Sequence, residues 1–306
     1  MAKQTIERRG DAPTLADTIP TPTHKRAFLS YWSTPEALAT HVAGMGQGAA
    51  NWHRGAWEND SAFAGTRNMA EAIDLCRTGW PEGADRASRL RDRINAAHPT
   101  GPRVVRWDVA GAIASVPRAL AGNPLAMRRV DSARLRRKPI VTLLSDMTAN
   151  GNINAATITN RAAVVAAVVD AIEAAGFACE VITFEQSTRN DLAQIVACTV
   201  KESSAPADIG RLAFALGHAS FFRRLAWAAF TIERCTADLG SGLGSAATIN
   251  EKTANERGAY VLPSAGANEH AFKTEDNAAT HGLAFLIASL RKQDCPAFPR
   301  NVEEAA

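Results

Sequence analysis

The run Pro139-Ile140-Val141-Thr142-Leu143-Leu144-Ser145-Asp146 constrains the fold more than any other stretch of this sequence. It is apolar until its last two residues and too short for a helix, so it reads as a strand buried on both faces. A Gly/Asn loop at 150–154 follows, then a helical pattern over about 155–175 with Val164, Val165, Val168 and Ile172 inward and Gly176 as its cap. Phe177 to Phe184 is a second strand. Two parallel strands joined by a helix require a crossover, and such crossovers are right-handed. Further strands at 194–201 and 258–264 alternate with helices at about 207–217, 220–236, 246–257 and 276–291. The pattern predicts an α/β fold, with a mostly parallel sheet flanked by helices over residues 139–306.

The N-terminal side reads differently. Residues 1–26 mix Pro, Thr and charges without period and are expected to form a flexible arm. Residues 27–138 read as a helix-rich basic region. Ser33-Thr34-Pro35-Glu36 is a helix start, with a hydroxyl cap, a proline in the first turn and a carboxylate near the positive helix end. Helices are predicted at about 68–77 and 84–97, separated by Gly79-Trp80-Pro81-Glu82-Gly83. Arg86, Arg89 and Arg93 recur at helical spacing, so a stripe of guanidinium groups is expected on one face. Arg103-Val104-Val105-Arg106-Trp107-Asp108 reads as a strand.

Charge is the second constraint. The net charge of the chain is only +3, yet residues 85–138 carry 13 Lys/Arg against 4 Asp/Glu. Twelve of those cations are arginine, the side chain suited to planar contacts with phosphates and bases. Each phosphate contact releases condensed counterions, which drives nucleic-acid binding and makes it salt-sensitive. Tryptophans near the basic positions offer platforms for unpaired bases. The candidate DNA-binding set is Arg86, Arg89, Arg93, Arg103, Arg106, Trp107, Arg128, Arg129, Arg134, Arg136, Arg137 and Lys138. Arg223-Arg224, after Phe221-Phe222, extends that patch or flanks a buried helix. The competing reading is a solvated basic face, or arginines paired with the acidic C-terminal half.

Other function classes find little support. No stretch reaches the ~18 uninterrupted apolar residues of a membrane span, and the first 20 residues lack the apolar run of a secretory signal. The expectation is a soluble chain without a membrane partner. Five scattered cysteines form no C-x-x-C pair, which argues against a disulfide scaffold or a structural zinc site. No nucleophile elbow, metalloprotease helix or deaminase motif occurs. Gly240-Ser241-Gly242-Leu243-Gly244 follows a helix rather than a strand and lacks the lysine of a phosphate loop. The chain is expected not to be an enzyme and to need no cofactor.

Two resemblances add to this reading. Asp146-Met147-Thr148-Ala149-Asn150 is similar to the D-x-S-x-S metal loop of von Willebrand factor A domains, with Asn150 where that family has a hydroxyl. That likeness implies hydroxyls and a carboxylate holding Mg²⁺, and the alternative function of a metal-dependent protein-binding adaptor. Gly79-Trp80-Pro81-Glu82-Gly83, Asp108-Val109-Ala110-Gly111, Arg118 to Pro124, Leu143 to Asp146, and Leu212 to His218 with Phe222-Arg223-Arg224-Leu225 resemble a tailed-bacteriophage family. Within that family this chain looks like the single-stranded-DNA-binding cofactors of a phage-encoded RNA polymerase. The resemblance implies a protein that holds melted promoter DNA and recruits the phage RNA polymerase in the host cytoplasm, as a homo-oligomer and without an OB-fold. It transfers no contact residues.

Overall fold

The computed structural model describes residues 5–12, 15–45, 64–97, 105–110, 113–130, 138–149, 151–232 and 245–299. The predicted central strand is β6, Ile140–Asp146, and all its residues after Ile140 are buried. From it the chain runs through helix α4, Ala155–Ala174, to strand β7, Ala178–Arg189, which lies parallel to β6. Asn154 caps α4 by accepting from Ala156 N–H at 2.8 Å. Gly176 follows with φ +95°, a conformation that a side chain would strain. By length and composition α4 is apolar enough to cross a membrane, yet 78% of its most apolar window is buried inside the protein. A helix apolar on every side is a core helix here.

Strand β7 turns through Asn190 (φ +52°) into β8, Leu192–Lys201, as an antiparallel hairpin. The sequence places the end of β7 at Phe184, because Glu185 to Arg189 are polar. In the fold that polar stretch pairs with β8 and with β9, Ser245–Ala247. Residues 246–257, expected as one helix, are divided between β9 and a short helix, Glu251–Asn255. Strand β10, Ala259–Leu262, pairs parallel with β6 and closes that edge.

The other edge comes from the N-terminal region. Strand β2, Arg26–Trp32, lies parallel to β8, and β1, Thr5–Gly10, lies parallel to β2. The sheet order is therefore β1-β2-β8-β7-β6-β10, mostly parallel, as expected for an α/β fold. Part of the expected arm, residues 5–10, is thus an edge strand. Its exposed TIERRG sequence lacks the apolar alternation that marks a half-buried strand.

Helices cover one face. Helix α1, Pro35–Gly44, starts as predicted, with Thr34 Oγ1 accepting from Ala37 N–H at 3.1 Å. Helices α2, Met69–Thr78, and α3, Pro81–Ala97, follow, and Pro81 opens α3 rather than only breaking α2. Leu38, Ala72, Leu90 and Ile94 join the same core as Val164 and Val168 of α4 and Leu212 of α5, Ile209–Gly217. Described residues of 27–45 and 64–97 share one core with the C-terminal half, so the expected boundary at 138/139 does not separate two cores. Beyond α5, Phe221–Ala226 is π-helical and wholly buried, and it runs into α6, Trp227–Ile232. Helix α7, Leu283–Lys292, buries Leu283, Leu286 and Leu290 in the same layer. The opposite face has a thinner cover, in which Leu15, Ile19, Ile249 and Ala254 pack on Phe184 and Ile195.

Candidate nucleic-acid interface

Between α3 and β6 in sequence, the described residues form a second sheet, which is antiparallel. Its strands are β3, Val105–Asp108, β4, Ile113–Ala114, and β5, Met127–Val130, in the order β3-β5-β4. No side chain described between 107 and 127 is buried. Three short strands ordinarily need an apolar face packed on something to hold together. Here five described apolar residues are exposed: Trp107 40%, Val109 67%, Val116 63%, Leu120 84% and Leu125 44%. With Ile140 they complete the set of large exposed apolar side chains among the described residues. Exposed apolar side chains concentrated in one segment mark it as a candidate interaction surface.

The same ribbon is cationic. In register, Arg106 lies opposite Arg129, and Arg128 opposite Trp107 and Ile113. Arg118, in the turn of helix Val116–Leu120, sets its guanidinium 4.3 Å from the centre of the Trp107 ring. Sequence reasoning missed Arg118, although its neighbours Val116 and Leu120 are apolar positions with no periodic partners. Lys138 is exposed at the foot of β6. Arg103, Arg134, Arg136 and Arg137 lie outside the described residues, as do Trp52, Trp57 and the glycine-rich 240–244 segment.

The stripe expected on α3 is different. Arg86 donates from Nε to Glu275 at 2.9 Å and from Nη2 to Asn160 at 3.0 Å. Arg93 donates to Asp276 at 2.5 Å, and Arg91 lies 3.5 Å from Asp170. Two of the three stripe arginines therefore bind the acidic turn Glu275-Asp276 of the protein itself. Arg89 stays exposed. Arg223 and Arg224 are only 3% and 0% exposed, so they are not part of the surface patch. Arg224 donates to the Thr66 hydroxyl at 2.7 Å and to its carbonyl at 2.6 Å.

Residues 17–292 match the domain of unknown function DUF7192. The chain belongs to the DUF7192 family. Every element described above except the edge strand β1 falls within the match, so the ribbon is part of the DUF7192 domain and not an appendage. No curated protein and no solved structure matches the chain.

The carboxyl ends of β6 and β7 in this DUF7192 domain hold a second polar cluster. Asp146, 3% exposed, accepts from the Thr148 N–H at 2.8 Å and from the Thr148 hydroxyl, an Asx-type turn. Arg161, 1% exposed, donates to the carbonyl of Pro263 at 2.7 Å and to Ser145 Oγ at 3.1 Å. Burial raises the Asp146 pKa and lowers that of Arg161 to about 10, while their attraction opposes both shifts. Of the metal loop that the von Willebrand likeness implies, Asn150 lies outside the described residues, and Asp146 and Thr148 do not fit as free ligands. The Thr148 hydroxyl is turned onto Asp146, and a guanidinium already supplies positive charge beside it. Among the described residues, no group of three His, Cys, Asp or Glu side chains is placed to hold a metal. Nearby, Trp227 donates from Nε1 to Glu185 Oε1 at 3.0 Å, while Glu185 Oε2 is buried without a partner. Burial pushes the Glu185 carboxyl well above its ordinary range, the Trp227 hydrogen bond opposes this, and the Asp146 charge adds to it.

Proposed function

We propose that this DUF7192 protein is a non-enzymatic single-stranded DNA-binding protein that grips its ligand through the β3-β5-β4 ribbon. One observation carries the reading: five of the large exposed apolar side chains and the Arg118–Trp107 stack fall on one basic segment, in which no described side chain between 107 and 127 is buried. Unpaired bases have apolar faces to stack on an indole, and the backbone supplies the negative charge that the arginines meet. Duplex DNA hides its base faces and satisfies only the second half of that match. Sequence preference is weak, because stacking and phosphate contacts read little sequence.

The likeness of the sequence landmarks to the podoviral cofactor Drc extends the proposal. In that reading the protein holds melted promoter DNA in the host cytoplasm, recruits the phage RNA polymerase and self-associates along the strand. The adaptor alternative, with Mg²⁺ on Asp146 and Thr148, lacks support from the geometry of that loop. Fluorescence anisotropy with matched single- and double-stranded oligonucleotides, titrated with salt, tests the proposal. Tighter binding of the single strand, weakening steeply with salt, is expected; equal binding of both forms, or none at low salt, overturns it.

A further inference from the structure

We infer that the cleft between the ends of α1, α2, α3 and α5 is a binding site for a single nucleobase or mononucleotide. The choice of ligand rests on the nucleic-acid reading above; the cleft itself does not. Its volume is about 390 Å³, within the range of small-molecule sites. Trp80 and Phe214 line it, and both rings are fixed before any ligand arrives. A Cβ on Gly83 would lie 1.9 Å from the Trp80 ring, so the indole rests on bare backbone there. His218 meets the same indole edge-on, at 4.5 Å and 88°. Phe214 is 2% exposed and packs edge-on against Phe221. A platform held in this way loses little freedom on binding.

The polar groups complement a base rather than a highly charged ligand. Glu36 and Arg211 face each other across 2.8 Å, with side chains 35% and 37% exposed. They present an acceptor beside a donor, the arrangement that reads a base edge carrying a donor beside an acceptor. Burial pushes the Cys76 thiol up to about 12, so this part of the lining is uncharged at neutral pH. Arg77 is exposed among the lining residues and suits one phosphate. The cleft is lined at the N-terminal end of α3 and shares no lining residue with the ribbon. The two sites are therefore separable by mutation.

The test is calorimetric titration of the full chain with dAMP, with ribose 5-phosphate as the control that lacks a base. Saturable dAMP binding, absent for ribose 5-phosphate and weakened at least about fivefold by Trp80→Ala, supports the inference. Ala84→Leu, which fills the cleft from α3 and leaves the indole in place, should weaken dAMP in the same way. It keeps the test decisive if Trp80→Ala fails to fold. No saturable dAMP binding, or equal binding by both variants, overturns the inference. If dAMP binds while oligonucleotides do not, the cleft stands as a nucleotide site and the ribbon reading fails. If oligonucleotides bind through the ribbon while dAMP does not, the ribbon stands and the cleft falls.

Discussion

The Arg118 guanidinium stacks 4.3 Å from the centre of the Trp107 ring on a ribbon that buries none of its described side chains between 107 and 127. At an exposed site such a contact contributes only about 0.5–1 kcal/mol. It does not explain why a tryptophan sits there, 40% exposed, among four other exposed apolar residues. A partner that covers the indole and neutralises the arginines explains both.

The α3 arginines are expected to behave as structural residues. Arg86→Ala removes an ion pair with Glu275 and a partly buried bond to Asn160, and should cost about 1–2 kcal/mol by urea denaturation. The Arg93–Asp276 pair is more open, with side chains 52% and 78% exposed, so Arg93→Ala should have a much smaller effect. Neither variant should change oligonucleotide affinity by more than the loss of one distant charge. A tenfold loss from either would move the interface onto α3.

His218 gives a pH dependence of defined sign. Its Nδ1 accepts the Ser220 N–H at 3.2 Å, and burial holds its pKa down to about 4 from 6.5, against a weaker opposing pull from Glu71. Between those values the unfolded chain binds a proton that the folded one excludes. Stability should therefore fall as pH drops from 6.5 toward 4, by up to about 1.4 kcal/mol per pH unit from this group. His218→Asn keeps an acceptor for Ser220 and should flatten that part of the profile. An unchanged slope in denaturant titrations would contradict it.

Glu185 acts in the opposite direction. Its raised carboxyl favours the protonated form in the fold, so its ionisation lowers stability as pH rises above the ordinary glutamate range. Glu185→Gln keeps an oxygen for Trp227 and cannot ionise. The variant should melt higher than the parent at pH 8, with the gap closing toward pH 5. A lower melting point at pH 8 would contradict this account of the buried carboxyl.

Much of the body was legible in the sequence, because β6 and α4 are long apolar runs and Thr34-Pro35-Glu36 is a local cap signal. What was hidden depends on distance. The partners of Arg86 and Arg93 lie 189 and 183 residues away in sequence, so no local pattern shows that these cations are paired. Strand β1 is an exposed polar edge, and the polar end of β7 is extended only because β8 and β9 pair with it. Arg223 and Arg224 look like surface charges until a π-helical turn buries both. Basic composition located the ribbon, but its exposed apolar side chains and the Arg118 stack emerge only from the fold.

The loop at Asp146 should not respond to divalent metal. Millimolar Mg²⁺ is expected to leave the melting temperature unchanged, whereas Arg161→Met should cost about 3–5 kcal/mol by stripping buried partners from Ser145, Leu262 and Pro263. A rise of several degrees with Mg²⁺, abolished by Asp146→Ala, would restore the metal reading.

The most direct test of the ribbon is the affinity of Trp107→Ala and Arg118→Ala for a single-stranded oligonucleotide, measured by anisotropy across a salt series. Trp107 is 40% exposed and no described side chain between 107 and 127 is buried, so both variants should keep the parent melting temperature. Trp107→Ala should bind about 5- to 100-fold more weakly at every salt concentration, and Arg118→Ala should also bind more weakly, with a shallower salt dependence. Parent-like affinity in both variants would contradict the account.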